Sequence, residues 1–232
     1  MFYFKYYPIQ EVLGFVFSMG QAQANVWIHI LTPLLNSALG YKKELPARAP
    51  CDIERILSQC PGLEFIIDAT ERAIQRPKDA ERQKSHYSGK KKRHTVKNTV
   101  INDKKTKKIK ALGKTHPGKT HDKKMAEEDE IFFPEDSSLW KDTGYQGYEP
   151  EHTSCYQPKK KPKGKELTDD EKQRNQDISK ERIPIEHSIA GVKLYHIVKD
   201  IYRNHKAAFE DLVMETACGL FNLRIQYRHL LA

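Results

Sequence analysis

An α/β fold is what this sequence predicts, because its elements change type in order along the chain. Short apolar or alternating segments typical of strands begin at residue 63, mixed elements follow, and the last third repeats apolar residues at helical spacing. Apolar residues also recur at helical spacing within the first 40 residues. The 232 residues suit one main domain with a small appendage.

The N-terminal segment, residues 7–39, predicts two helices around a turn at Ser18-Met19-Gly20. The second helix is expected to begin at Gln21 and to end near Pro33. This pattern fits a partial helix-turn-helix DNA-binding segment over residues 1–40. A helical hairpin that only packs on the main domain fits equally well. If the segment is a helix-turn-helix, the amide side chains expected to contact base edges are those of Gln21, Gln23 and Asn25.

Residues 41–62 are expected to form a linker that contains prolines and one short helix. Leu63–Thr70 then predicts a buried strand with Asp68 near its end. The next two strands are expected at Lys90–Asp103 and Lys107–Leu112, joined by a turn.

Further along, the sequence predicts a helix at Asp122–Glu130 and a brief strand at Leu139–Asp142. Residues 150–177 are rich in Lys, Pro, Gly and acidic residues, which indicates a solvated insertion. Thr168 and Glu171 have the spacing of a capping box that would start the helix carrying Glu186.

The charge balance points to an acidic polymer as partner. Forty Lys and Arg against 31 Asp and Glu give a net charge of +9, and the positive charge clusters between Arg72 and Lys124. The four cysteines lie too far apart for a C-x2-C zinc pair, and we expect them to be reduced in the cytosol. Polar residues interrupt the apolar N-terminal stretch, so neither a membrane-spanning helix nor a signal peptide is expected.

Three acidic residues stand out as candidate metal ligands. Asp68 lies near the end of an apolar strand, Asp142 at a strand-to-turn junction in Lys141-Asp142-Thr143-Gly144, and Glu186 on a late helix in Arg182-Ile183-Pro184-Ile185-Glu186. A fold can gather two divalent metals from such distant carboxylates, which suggests phosphoryl transfer on a nucleic acid. Each acid taken alone would more often be a solvated surface residue.

The residues around these acids resemble the DDE transposases of bacterial insertion sequences, in the branch related to Harbinger elements. Arg182, Glu186 and Lys193 have the spacing R-x3-E-x6-K of that family's C-terminal signature. The resemblance also covers Tyr87–Thr95 and Pro117–Asp122, and it spans nearly the whole chain. Relatives carry additional helical sequence at the N-terminus, so the DNA-binding appendage is expected to be shortened here.

The resemblance implies an RNase H-like mixed sheet flanked by helices over residues 63–232. It also implies a transposase that uses two Mg2+ or Mn2+ ions to cleave and join DNA strands. Asp68 would bridge both ions, while Asp142 and Glu186 would each hold one. The implied partner is double-stranded DNA, namely the terminal inverted repeats of the element and a target site. The protein would act in the cytoplasm at the nucleoid, as a possible homodimer on DNA.

Further residues are assigned to DNA or to support of the site. The basic run after a Ser-Gly turn is expected to contact the DNA backbone, and it consists of Lys90, Lys91, Lys92 and Arg93. Arg182 and Lys193 flank Glu186 on its helix and could clamp a phosphate. Asp122, at the start of a predicted helix, is given a capping or supporting role.

A rival hypothesis comes from Gly113–Thr120, which satisfies the P-loop pattern G-x4-G-K-[ST]. Lysines fill the strand before it, however, and Pro117 removes an amide donor from the would-be cradle. Nucleotide hydrolysis is therefore the weaker alternative.

Three departures from the family pattern favour another alternative, a catalytically inactive DNA-binding remnant. Ser179 stands where the signature has tyrosine, Pro184 lies between Arg182 and Glu186, and Lys141 replaces a small or apolar residue beside Asp142.

Overall fold

The computed structural model describes residues 1–230, with side chains to residue 228, and centres on a mixed sheet. β1 is antiparallel to β3 and parallel to β6, and β6 is parallel to β7. The short strands β2, β4 and β5 all pair with β3. The strands are β1 (Glu64–Ala73), β2 (Tyr87–Ser88), β3 (Arg93–Asp103), β4 (Ile109–Leu112), β5 (His116–Pro117), β6 (Ser137–Trp140) and β7 (Thr153–Tyr156). With helices on both faces this is an RNase H-like arrangement, as predicted.

Helices flank the sheet, and they form most of the N-terminal and C-terminal parts of the chain. They are α1 (Phe2–Tyr6), α2 (Gln10–Val16), α3 (Gln21–Tyr41), α4 (Pro50–Ser58), α5 (Ala80–His86), α6 (Asp122–Glu128), α7 (Asp169–Val192), α8 (His196–Lys199) and α9 (Phe209–Leu230). The predicted capping box at the start of α7 is confirmed, since Thr168 and Glu171 bond reciprocally.

Successive side chains of the central strand β1 point to opposite faces of the sheet and pack in two separate hydrophobic clusters. Phe65 and Ile67 pack with Ile53 of α4 and Ala126 of α6 on one face. Ile66 packs on the other face, in a cluster with side chains of α7. A strand buried on both faces needs a continuous apolar run, which is what residues 65–67 supply.

The helix α7 is fixed to the sheet by a polar clasp as well as by apolar packing. Lys104 donates to Glu181 of α7 at 2.7 Å and to Glu64 of β1 at 3.2 Å. Its ammonium also lies 4.0 Å from the centroid of the Trp140 ring. The clasp sets the position of Arg182, the next residue along α7.

The prediction that the second N-terminal helix ends near Pro33 is wrong, because α3 continues to Tyr41. Its buried residues Ala24, Ile28 and Leu39 fall on one stripe that packs with α9 residues such as Val213 and Cys218. This packing offsets the hydrogen bond that proline removes. α1, α2 and α3 thus share a core with the last helix of the chain.

Two other predicted boundaries also need correction. The strand expected from Lys90 begins only at Arg93, because residues 90–92 form a turn. The brief strand before Asp142 is Ser137–Trp140. Residues 150–177, expected to be a solvated insertion, include no buried residue, but they do contain β7 and the first turns of α7. The exposed edge position and polar composition of β7 hid it from a search for apolar strands.

Among residues 1–230, no helix combines the length and apolar character that crossing a membrane requires. Each of the four cysteines is free.

Candidate active site

Two of the predicted acids lie near each other where the pairing of β1 with β6 ends. Ile66 of β1 pairs in parallel register with Trp140 of β6, and Asp68 and Asp142 each follow these partners by two residues. Asp68 nevertheless lies inside β1, so the prediction that it stands near a strand end is wrong, because β3 pairs with β1 as far as Ala73. Asp68 accepts a hydrogen bond from the amide of Ala69 at 2.8 Å.

Asp142 is held by the turn that follows β6. Its Oδ1 accepts from the amide of Gly144 at 2.8 Å, which starts a single 3-10 turn over Thr143–Tyr145. A carboxylate used in this way has a defined direction, because an N-cap side chain must face back over its own turn.

A third carboxylate, that of Asp122, joins this pair. The carboxylates of Asp122 and Asp142 both approach Gly144. A Cβ placed at Gly144 would lie 2.7 Å from Asp122 Oδ2 and 3.0 Å from Asp142 Oδ1. Asp122 is the first residue of α6 and does not cap it, because the N-cap position belongs to His121. Its other oxygen pairs with Lys97 Nζ of β3 at 3.1 Å. Of the two roles predicted for Asp122, support of the site fits and capping does not.

The cluster carries excess negative charge in a partly buried place. The pKa of Asp68 is raised to about 6, mainly by burial and to a lesser extent by the charges of Asp142 and Asp122, while Arg182 and the Ala69 amide lower it. The neighbouring Tyr145 is fully buried, and burial together with the same three carboxylates raises its pKa well above the usual value. Hard oxygen ligands that repel one another suit a divalent cation.

Arg182 of α7, rather than Glu186, faces Asp68 in this structure. Its guanidinium lies 3.6 Å from Asp68 Oδ2, and the side chain is nearly buried. Glu186, one helical turn later, is exposed. Among the residues that the structure describes, no three His, Cys, Asp or Glu side chains are arranged to hold a metal ion. The assignment of Glu186 as a metal ligand therefore stays a prediction.

Lys193, at the end of α7, also belongs to this neighbourhood. Burial lowers the pKa of Lys193, the charge of Lys91 lowers it further, and the charges of Asp68 and Glu71 raise it. Lys193 therefore lies near enough to Asp68 and to Lys91 for their charges to act on it.

The basic run Lys90–Arg93 forms the tip of the hairpin between β2 and β3, and all four side chains are exposed. The amides of Lys91 and Lys92 are bound to Ser88, to its Oγ at 3.1 Å and its carbonyl at 2.8 Å. The tip is thus a formed turn that presents four cations to solvent.

The predicted base-reading residues are separated by the structure. Gln21 and Asn25 lie one turn apart on α3 and line a common cavity, whereas Gln23 is exposed elsewhere on the helix. Gln21 and Asn25 could therefore contact the same part of a ligand, whereas Gln23 could not.

Most amides of the P-loop pattern Gly113–Thr120 are already hydrogen-bonded within the protein. Gly113 and Gly118 donate to the carbonyls of Thr99 and Thr95, and Lys119 donates to that of Ser85. The segment contains β5 and leads into a loop before α6. A phosphate cradle needs successive free amides at the start of a helix, so this geometry argues against one.

The three departures from the family pattern are accommodated in the fold. Lys141 is fully buried and pairs at 2.7 Å with Glu149, whose side chain is mostly exposed. Pro184 lies inside α7, which continues through it to Val192. The exposed Ser179 bonds the carbonyl of Asn175.

The mixed sheet and the helices on both its faces define the class of an RNase H-like domain. Residues 67–222 match the family model described as DDE superfamily endonuclease, and the chain belongs to that family. A relative, the probable transposase for insertion sequence element IS702 of Microchaete diplosiphon, is 34% identical over 160 residues, which are 69% of this chain. The chain thus spans about half, 56%, of that relative's length. No solved structure matches the chain.

Proposed function

We propose that this chain is a DNA transposase that cleaves and joins strands at the ends of its mobile element. The observation that carries the proposal is the cluster of Asp68, Asp142 and Asp122 where β1 and β6 stop pairing, inside a chain of the DDE endonuclease family. Arg182, 3.6 Å from Asp68, and Lys193, near enough for the charge of Asp68 to raise its pKa, suit a substrate that is a polyanion.

The proposed cofactor is Mg2+ or Mn2+, two ions, with Asp68 and Asp142 as ligands and Glu186 as the third. Bound there, such ions would activate the attacking oxygen and stabilise the leaving oxygen of a phosphodiester. The donors fit, because Asp68 is a carboxyl group whose pKa is raised to about 6 by burial and by neighbouring carboxylates. A cation relieves that repulsion.

The proposed role of the basic residues is to hold the substrate at the acids. Arg182 can form a bidentate contact with a phosphate, and Lys193 supplies a point charge beside it. The hairpin tip Lys90–Arg93, close to Lys193, would contact the DNA backbone without regard to sequence.

A nicking assay tests the proposal. The substrate is a supercoiled plasmid that carries the DNA flanking the coding sequence, incubated with Mg2+, with Mn2+ or with EDTA. We expect metal-dependent nicking that Asp142→Asn abolishes while DNA binding persists, because a metal ligand is lost and the basic surface is not. Asp170→Asn, an exposed acid in the first turn of α7, is the matched control and should nick like the wild type.

A second candidate is an inactive DNA-binding remnant, favoured by the exposure of Glu186 and by the absence, among described residues, of a three-ligand metal group. Folded wild-type protein that binds DNA but does not nick it in Mn2+ would support this candidate and overturn the enzymatic one. Neutralising the hairpin with Lys90→Gln, Lys91→Gln and Lys92→Gln should weaken binding to all duplexes alike under either candidate.

A further inference from the structure

A large open groove lies away from the acidic cluster. Its volume is about 1340 Å3, and its two walls are residues 74–82 and residues 201–210. We call it the basic groove, because the charged side chains that line it are mostly cationic. They are Arg76, Lys78, Arg82, Arg203 and Lys206, against Asp79 and Glu210.

The positive charge of the groove is not neutralised within the protein. None of the five cations takes part in an ion pair with the side chains that the structure describes. Of the two acids, Asp79 is engaged as the N-cap of α5, where it accepts from the amide of Arg82 at 2.8 Å. Unpaired cations along a groove favour an anionic polymer as occupant.

Both walls of the groove are held in place by backbone contacts. Tyr202 donates to the carbonyl of Ala73 at 2.9 Å, which ties the two walls together at the end of β1. On one wall, Gln83 accepts from Arg76 at 2.8 Å and donates to the carbonyl of Pro77 at 2.8 Å. The groove is thus a formed surface.

The second wall continues into a smaller cavity at the N-terminal helices. Arg203, Asn204 and His205 line both cavities. In the smaller one, of about 330 Å3, they face Gln21 and Asn25 of α3. Arg203 is anchored there, since its amide donates to Tyr7 Oη at 2.7 Å and its guanidinium stacks 4.1 Å from the Tyr7 ring centroid.

We propose that the basic groove binds the phosphodiester backbone of duplex DNA and delivers its base edges to Gln21 and Asn25. This rests on the proposed function, and it adds a second DNA contact besides the hairpin and the acidic cluster. Unpaired cations suit phosphates, and uncharged amides suit base edges. The basic groove would therefore contact the DNA backbone, and the smaller cavity would contact the bases.

The distance to the acidic cluster sets where on the DNA this contact falls. Arg76 comes eight positions after Asp68, and β1 is extended over most of that length, so the two lie at most roughly 26 Å apart at about 3.3 Å per residue. That span is less than one turn of B-DNA, about 34 Å. The groove would therefore hold DNA within one helical turn of the bond to be cleaved.

The test compares two triple variants with equal loss of charge. Lys78→Gln, Arg82→Gln and Lys206→Gln remove exposed cations of the groove, while Lys160→Gln, Lys163→Gln and Lys165→Gln remove exposed cations of the loop before α7. Binding of the full chain to a fluorescent duplex of about 30 base pairs, three helical turns, is measured by anisotropy over a range of salt. Circular dichroism checks that each variant is folded.

The groove variant should lose affinity and reduce the slope of log K against log salt by about 2 to 3, because each lost phosphate contact contributes about 0.9. The loop variant should match the wild type. Equal behaviour of the two variants, with the hairpin variant still weakened, would overturn the groove and leave the proposed function standing. Wild-type protein that binds no duplex even at low salt would overturn the proposed function itself. Stronger groove-dependent binding to single-stranded RNA than to the duplex would also refute the proposal.

Discussion

Replacing Asp68 by asparagine should stabilise the metal-free protein at neutral pH while it removes metal-dependent cleavage. The side chain is only 21% exposed, and it lies near enough to the carboxylates of Asp142 and Asp122 for their charges to raise its pKa. Asparagine has the shape of the protonated acid and no charge. The substitution therefore removes a charge that folding makes unfavourable, even though Arg182 lies 3.6 Å away.

The size of the effect follows from the pKa of Asp68, which rises from 3.8 to about 6 on folding. Each unit corresponds to about 1.4 kcal/mol, so the ionised carboxylate costs about 3 kcal/mol of stability above pH 6 as an upper figure. For a chain of this size, that corresponds to a rise in melting temperature of about 6 to 12 °C. This figure already includes the attraction of Arg182, because that charge contributes to the pKa.

The pH dependence has a definite sign. A carboxyl group whose folded-state pKa is raised destabilises the protein above that pKa, and this loss disappears as pH falls toward the unfolded value. The difference between Asp68→Asn and wild type should thus be largest above pH 6, small by pH 4, and absent below about pH 3, where Asp68 is protonated in both states.

Thermal melts in EDTA at pH 8 and pH 4, repeated with Mn2+ at pH 8, measure these effects. Mn2+ at 100 times its dissociation constant should stabilise the wild type by about 2.7 kcal/mol and leave Asp68→Asn unchanged. Asp52→Asn is the control, an exposed acid paired with Arg55, and it should change stability by less than about 1 kcal/mol. A lower melting temperature for Asp68→Asn in EDTA at pH 8 would refute the argument from buried charge.

Further predictions concern the turn, the P-loop pattern and the first helices. Gly144→Ala should destabilise the protein and impair nicking, because the alanine Cβ would lie 2.7 Å from Asp122 Oδ2. Thermal melts and the nicking assay measure both effects, and an unchanged melting temperature would contradict the close contact at Gly144. Lys119→Ala should leave nicking dependent on metal and indifferent to ATP, whereas ATP hydrolysis that vanishes with this variant would favour a nucleotidase. Gln21→Ala should reduce the preference for the element's own ends over unrelated DNA in competition binding, and Gln23→Ala should not.

The turn at Asp142 could be predicted from local sequence, because a strand-to-turn junction marks where β6 ends. The place of Asp68 could not, since β1 continues past it to Ala73 through pairing with β3. The role of Asp122 could not be predicted in full. Its partner Lys97 lies 25 residues earlier and reaches it only once β3 is paired in the sheet. Local sequence carries no signal for such a contact.

Proline misled the prediction of one helix end, at Pro33. Proline costs about 3 kcal/mol inside a helix, which makes a helix end the sensible expectation from sequence. α3 and α7 both run through a proline, at Pro33 and Pro184, because the buried residues on either side form one stripe against the rest of the protein. Tertiary packing of that kind is visible only in the assembled fold.

The shared core of the first three helices and α9 has a consequence for synthesis on the ribosome. α3 ends at Tyr41 and α9 begins at Phe209, so its partner is made 168 residues later, after about 10 to 30 s of translation. During that interval the apolar stripe of α3 has no permanent cover and depends on chaperones or on transient contacts. A message cut short before codon 209 would yield a chain whose first helices never find their partner, and such a product should aggregate or be degraded.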